Sequence, residues 1–430
     1  MTQLKRLSLT SAVWLIGLSL YAQQQTENNY RFSFGPGKPA AGYRKVADTD
    51  IYSEEKGYGY DLGTTPAPRK PFYFSVTVPE GNYNVTLTLG STTDSAFTTV
   101  KAESRRLLLE NVVTRPNGFT AKSFTLNVRR PEIAGGTRVS LKTRELTKLD
   151  WDRKLTFEFN GPAPAVRAIT ITPNPTAVTV FLAGNSTVVD QDEEPWASWG
   201  QMIPRFFKPG VAIANHAESG LTLGSFLGSK RLEKVLSVMK KGDYLFIEFG
   251  HNDQKDKGVN DGAFKSYTER LKLFIRETKA KGGIPVVVTS TSRRRFDSST
   301  RKTINTLGDF PEAARRVAME EKVALIDLNV MTTALYDALG VEPSKKAFVH
   351  YPANTWPGQD KVLEDNTHFN AYGAYELAKC IVEGIKQNKL GISKYLLNDT
   401  PAFNPAKPDS ADTWYLPASP RSNAIKPDGN

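Results

Sequence analysis

A change of pattern at Pro173-Asn-Pro175 divides this chain and limits what it can fold into. From about Tyr30 to Pro173, short segments are enriched in β-branched and aromatic residues. Examples are Phe72 to Val78, Tyr83 to Leu89, Ser123 to Val128 and Leu155 to Phe159. Turn residues such as Pro79-Glu-Gly-Asn82 and Gly135-Gly136 separate them, and no comparable helical periodicity is visible. An all-β sandwich or jelly roll over residues 26–173 is expected.

Beyond Thr176 the period switches. The apolar runs Val178 to Ala183, Val211 to Asn215, Tyr244 to Phe249, Ile284 to Thr289 and Val323 to Asp327 read as strands buried on both faces. Helical patterns lie between them; in one, Phe264, Tyr267, Leu271, Phe274 and Ile275 fall on a single face. Five such units predict a mostly parallel sheet covered by helices on both sides, over residues 176–393. A length of 430 residues suits two cores. Residues 394–430, rich in Pro, Asn, Asp and Ser, read as a tail on the surface or partly disordered.

The first 22 residues read as an export signal. Lys5 and Arg6 precede an apolar stretch from Leu7 to Leu20, and Tyr21-Ala22 stands before a polar run. Cleavage near Ala22 would leave a soluble protein in the periplasm or outside the cell, with no membrane insertion, because no other stretch is long and apolar enough to span a bilayer. No cysteine at that point argues against a lipid anchor. The only cysteine, Cys380, cannot form an intramolecular disulfide and reads as a small core residue. The net charge of +11 favours an acidic partner, although charge alone does not separate nucleic acid, membrane surface and acidic polysaccharide.

In open parallel sheets, ligands bind at the carboxyl ends of the strands. After the first stands Gly184-Asn-Ser-Thr187, where Gly184 permits a tight turn and Ser186 is expected near a helix N-terminus. After the second comes His216-Ala-Glu-Ser-Gly220, whose glycine lets a backbone N–H approach a substrate oxygen. After the third comes Gly250-His-Asn-Asp253, where the Asn252 amide can donate to an oxyanion without adding charge. Asp365-Asn-Thr-His368 precedes a final helix expected from Asn370 to Gln387. A carboxylate three residues before a histidine can hold Nδ1 and leave Nε2 to accept a proton.

This order of Gly-x-Ser, Gly, Gly-x-Asn and Asp-x-x-His resembles the SGNH (GDSL-type) hydrolase superfamily across roughly Thr176 to Lys389. Gly184 to Val188, Trp199-Gly200, Phe249 to Asp253, Ser292 to Phe296 and Asp365 to Phe369 look like the rhamnogalacturonan acetylesterase group, carbohydrate esterase family twelve. Members of that group can carry a β-rich domain ahead of the esterase. The resemblance implies a flavodoxin-like three-layer α/β/α fold, with Ser186 as nucleophile, His368 as general base and acid, and Asp365 orienting His368. It implies an oxyanion hole of the Ser186 and Gly220 N–H groups and the Asn252 amide, with no cofactor and no metal. The usual motif has aspartate where this chain has Asn185, which puts the local turn geometry in doubt more than the chemistry. Asp190-Gln-Asp-Glu-Glu194 reads as an exposed acidic loop rather than a cation site.

Arg293, Arg294 and Arg295 follow the fourth strand on the active-site side, and guanidinium groups pair bidentately with the carboxylates of a uronate polymer. They are candidate substrate-binding residues, as is His251. Trp196 and Trp199 are candidates either for stacking on sugar rings or for the core. The expectation is an exported serine esterase that removes O-acetyl groups from pectic rhamnogalacturonan, its partner an acetylated acidic polysaccharide and not nucleic acid. An acetylxylan or general carbohydrate acetylesterase and a non-catalytic glycan-binding protein stay open as alternatives. The β-rich domain resembles a carbohydrate-binding module in architecture only.

Overall fold

The computed structural model describes residues 29–421, so the expected export signal over residues 1–22 and the end of the tail lie outside the described residues. The strand-rich half begins with β1 (Tyr30–Ser33), β2 (Arg44–Lys45), β3 (Tyr58–Asp61), β4 (Phe72–Thr77), β5 (Gly81–Leu89) and β6 (Ala96–Ala102). β7 (Arg106–Thr114), β8 (Thr120–Val128), β9 (Glu132–Ile133), β10 (Thr137–Arg138), β11 (Lys154–Ala163) and β12 (Val166–Pro173) complete it. One five-stranded sheet runs β2-β1-β12-β5-β8 and the other β3-β4-β11-β6-β7. Alternation drives their packing. Val85, Leu87 and Leu89 of β5 share one core with Phe74 and Val76 of β4 and Phe157 and Phe159 of β11, while Thr86 between them is exposed.

The second half carries β13 (Val178–Gly184), β14 (Val211–Asn215), β15 (Tyr244–Glu248), β16 (Ile284–Val288) and β17 (Ala324–Ile326), all parallel in the order β14-β13-β15-β16-β17. Successive side chains enter opposite cores. Val180, Leu182, Tyr244 and Phe246 face one, with the helices Leu328–Leu339 and Ala371–Gln387. Phe181, Ala183, Leu245 and Ile247 face the other, with the helices Arg231–Val238, Thr268–Ala280 and Phe310–Glu320. Continuous apolar runs are what burial on both faces demands. The chain leaves β13 to one side for β14 and returns to the other for β15, which opens a crevice at their carboxyl ends.

Phe264 departs from the helical face assigned to it. It lies in an irregular turn, Ala263–Tyr267, ahead of the helix and is 47% exposed, with the Arg316 guanidinium 4.7 Å from its ring centroid. Residues 394–421 run largely over the surface, as expected, and are tied down at several points. Trp414 packs on Tyr372 and Tyr375, and Lys101 Nζ reaches Pro417 O and Ser419 Oγ at 2.8 Å each, so the strap runs from the helical half back to the sandwich.

Candidate active site

At the end of β13 the chain turns sharply, because a Cβ on Gly184 would stand 2.5 Å from Val188 Cγ2. Val188 N and Val189 N both donate to Asn185 O at 3.0 Å, making a single turn around Ser186. No helix opens there, contrary to expectation; the next helical segment is Trp199–Met202. Residues 190–198 run out to meet the sandwich instead.

Asp365 and His368 precede the last helix, as expected, and lie in β19 (Leu363–Phe369), which pairs with β18 (Phe348–Tyr351). Adjacent residues Phe348 and Val349 pair with Phe369 and Asp365, so residues 366–368 bulge from the ladder. The bulge brings residues 365 and 368 to one side. Asp365 Oδ1 accepts the backbone N–H groups of Thr367 and His368 at 2.9 and 3.0 Å, and its Oδ2 lies 2.7 Å from His368 Nδ1. His368 Nε2 lies 2.8 Å from Ser186 Oγ. Burial works to raise Asp365, but His368 and the two amides outweigh it and hold the carboxyl well below its usual range.

Gly220 occupies the third position of a turn closed by Leu221 N to Glu218 O at 3.2 Å, with φ +77°. Asn252 donates from Nδ2 to Leu221 O at 3.2 Å. An amide carries two N–H groups, so one remains to donate elsewhere. The arrangement combines a hydroxyl on an imidazole, an imidazole on a carboxylate, and amide donors on neighbouring loops. Such a set is able to carry out acyl transfer.

Residues 178–374 match the GDSL-like Lipase/Acylhydrolase family. The rhamnogalacturonan acetylesterase RhgT of Bacillus subtilis is 42% identical over 223 residues, which make up 51% of this chain and 95% of that protein. The chain belongs to the GDSL-like lipase/acylhydrolase family. The uncharacterized esterase YxiM of the same organism is 27% identical over 391 residues, 83% of this chain and 91% of that one. A crystal structure of the YxiM protein superposes with a TM-score of 0.47 and 26% identity, covering 84% of this chain and 99% of that one.

The GDSL-type hydrolase is thus a carboxylic ester hydrolase with an added strand-rich half. Several side chains differ from the sequence-based expectation. Trp199 is fully buried, and its Nε1 donates to Glu248 Oε2 at 2.6 Å, so it cannot stack on a sugar. Trp196 is equally buried. Arg294 is committed to the protein: Nε donates to Ser344 Oγ at 2.9 Å, Nη1 to Asn366 Oδ1 at 2.8 Å, and Nη2 to Val341 O. It holds the bulge and is not available to substrate. Arg295 is exposed. Arg293 is half-buried, with long contacts to Thr306 at 3.5 Å and His251 O at 3.4 Å; burial lowers its pKa and the charge of the nearby Asp365 works against that. The His251 ring is buried, and burial first, then the charges of Arg293 and His368, push it well below its usual value, so it is neutral.

The acidic segment after the serine turn is not an exposed loop. Asp190 is buried against Arg106 at 2.6 Å, and Glu194 pairs with Arg105 at 2.5 Å. Both arginines come from the strand-rich half, and this hydrolase therefore anchors its serine loop on that half. Beneath the turn, Thr187 Oγ1 lies 3.0 Å from Asn185 Oδ1 and 2.8 Å from Glu248 Oε1. Asn185 keeps the turn's hydrogen bonds as an aspartate would, while its Nδ2 is buried without a partner. Burial pushes Glu248 up to about 7 against the bonds from Trp199 and Thr187. Glu248, Gln191 and Ser198, the last two holding Ser186 O at 2.9 and 2.7 Å, carry no sequence signal beyond a polar residue next to a buried strand or turn.

Proposed function

We propose that this protein is an exported serine esterase that removes O-acetyl groups from rhamnogalacturonan. The observation that carries the reading is the unbroken chain from Ser186 Oγ through His368 to Asp365, with links of 2.8 and 2.7 Å. Ser186 Oγ attacks the acetyl carbonyl carbon while His368 Nε2 takes its proton. The N–H groups of Ser186 and Gly220 and the second amide N–H of Asn252 receive the tetrahedral oxyanion. His368 then gives the proton to the departing sugar oxygen, leaving acetyl on Ser186. Water, activated by His368, repeats the sequence and releases acetate. Asp365 fixes the tautomer and stabilises the imidazolium without accepting the proton.

The substrate class is supported by the activity named for RhgT and by the net charge of +11, which suits an acidic polymer. Export is supported by the charged and apolar pattern of residues 5–22. The test compares acetate release from acetylated rhamnogalacturonan by the native chain and by Ser186→Ala. Release should vanish in the variant at an unchanged thermal midpoint. Undiminished release would overturn the reading, and release from neutral xylan equal to that from rhamnogalacturonan would overturn its substrate.

A further inference from the structure

The peptide unit between Ser219 and Gly220 is held from the other domain. Lys142, on the connection between β10 and β11, donates from Nζ to Ser219 O at 2.6 Å. That carbonyl and the Gly220 N–H belong to the same planar trans group and point in opposite directions, so fixing one aims the other. The unit is also the central peptide of the turn from Glu218 to Leu221, and φ +77° at Gly220 makes it type II. Type I differs mainly by a flip of this peptide. Glycine tolerates both forms, so local sterics do not choose between them.

We propose that Lys142 is a positioning residue for ester hydrolysis: it locks this peptide in the state that presents the Gly220 N–H to the oxyanion, and its charge strengthens that donor. The proposal rests on the reading of Ser186 and Gly220 as parts of an acyl-transfer site. A cation on a carbonyl oxygen makes a charge-assisted bond and draws electron density from the attached N–H. The Ser186 peptide is held differently. Its carbonyl partner, Asn185 O, accepts Val188 N and Val189 N from its own turn. One backbone donor is thus fixed locally and the other across a domain boundary.

The segment that carries Lys142 is built into the esterase. Lys142 N donates to Glu145 Oε2 at 2.8 Å, and Glu145 pairs with Arg231 with both side chains fully buried. Arg231 Nη1 reaches His216 O at 3.2 Å, and Lys148 pairs with Glu218 at 2.7 Å, again buried. Residues 216, 218 and 219 are therefore gripped in succession. On this view the strand-rich half completes the catalytic site, besides any glycan it binds.

The experiment measures kcat and KM for 4-nitrophenyl acetate with the full chain carrying Lys142→Met, Lys142→Gln or Lys142→Arg. Losing one fixed oxyanion donor lowers kcat on the order of 10²-fold. Lys142→Met should fall by about 10- to 100-fold in kcat with KM within about twofold, in a folded protein whose thermal midpoint is lowered by the loss of one donor to buried Ser219 O. Lys142→Arg should recover most of the rate, and Lys142→Gln, which keeps a donor without charge, should lie between. If Lys142→Met does not fold, the ordering of Arg above Gln in kcat is the deciding readout. Native kcat in Lys142→Met, a loss confined to KM, or equal rates in the Gln and Arg variants would overturn the proposal. An active Ser186→Ala would instead overturn the underlying reading, whereas an inactive Ser186→Ala beside a full-rate Lys142→Met removes only the role of Lys142.

Discussion

Arg294 and Asn366 are joined twice. The backbone N–H of Arg294 donates to Asn366 O at 2.8 Å, and its guanidinium Nη1 donates to Asn366 Oδ1 at the same distance. Asn366 is the first residue of the bulge that sets Asp365 and His368 side by side, so the loop after β16 braces that pair.

Replacing Arg294 with alanine should therefore act on both stability and rate. The change removes three hydrogen bonds from a charged donor; Val341 O keeps Ser344 Oγ and the exposed Asn366 Oδ1 keeps His350 Nε2, so the cost is about 1–3 kcal/mol. Urea unfolding should show that loss, with kcat reduced severalfold. A variant as stable as the native protein would contradict the bracing role.

Asp365→Asn should preserve the fold and lower kcat by about 10²- to 10⁴-fold with little change in KM. The amide can no longer hold Nδ1–H with a charge, and it favours the wrong tautomer of His368. Steady-state kinetics on 4-nitrophenyl acetate would check this. A loss carried by KM alone would contradict it.

Glu248 predicts a pH dependence of stability. Folding raises it from 4.5 to about 7, so the folded state binds the proton more tightly. Its contribution to stability is complete below about pH 4.5 and is lost as pH rises through about 7. The shift corresponds to about 3 kcal/mol. Glu248→Gln keeps the bond from Trp199 and should flatten this part of the stability profile, measured by denaturant titration from pH 4 to 8. Parallel profiles for variant and native protein would refute it.

Arg293 should matter to the polymer and not to the chemistry. It stands beside His251 with long contacts and within reach of the Asp365 charge, and the partner expected for it is a uronate of the polymer. Arg293→Ala should raise KM for acetylated rhamnogalacturonan about 10-fold, as losing one hydrogen bond to a charge does, and leave 4-nitrophenyl acetate turnover within twofold. Equal effects on both substrates would reject the assignment.

Much of the second half was legible without coordinates. The runs Val178 to Ala183 and Tyr244 to Phe249 are apolar at every step because both faces of β13 and β15 are buried, and that pattern is local. Ser186, Gly220, Asn252 and the pair Asp365 and His368 were legible as candidates for the same reason: each stands just beyond such a run or before a capped helix. The fates of Arg293, Arg294 and Arg295 were not. Three consecutive arginines look alike in sequence, yet one is braced, one is loosely held and one is exposed, as the direction of each side chain from the loop dictates.

By itself, then, the sequence determined the two architectures and the order of the reactive residues, since periodicity and turn chemistry act over a few neighbours. Only the tertiary structure decided how the halves cooperate. Arg106 meets Asp190, Lys148 meets Glu218 and Lys142 meets Ser219 across long stretches of chain. Any of these charges would read as solvated in isolation. Burying a charge is costly unless a partner is supplied, and which partner arrives depends on how the two cores pack.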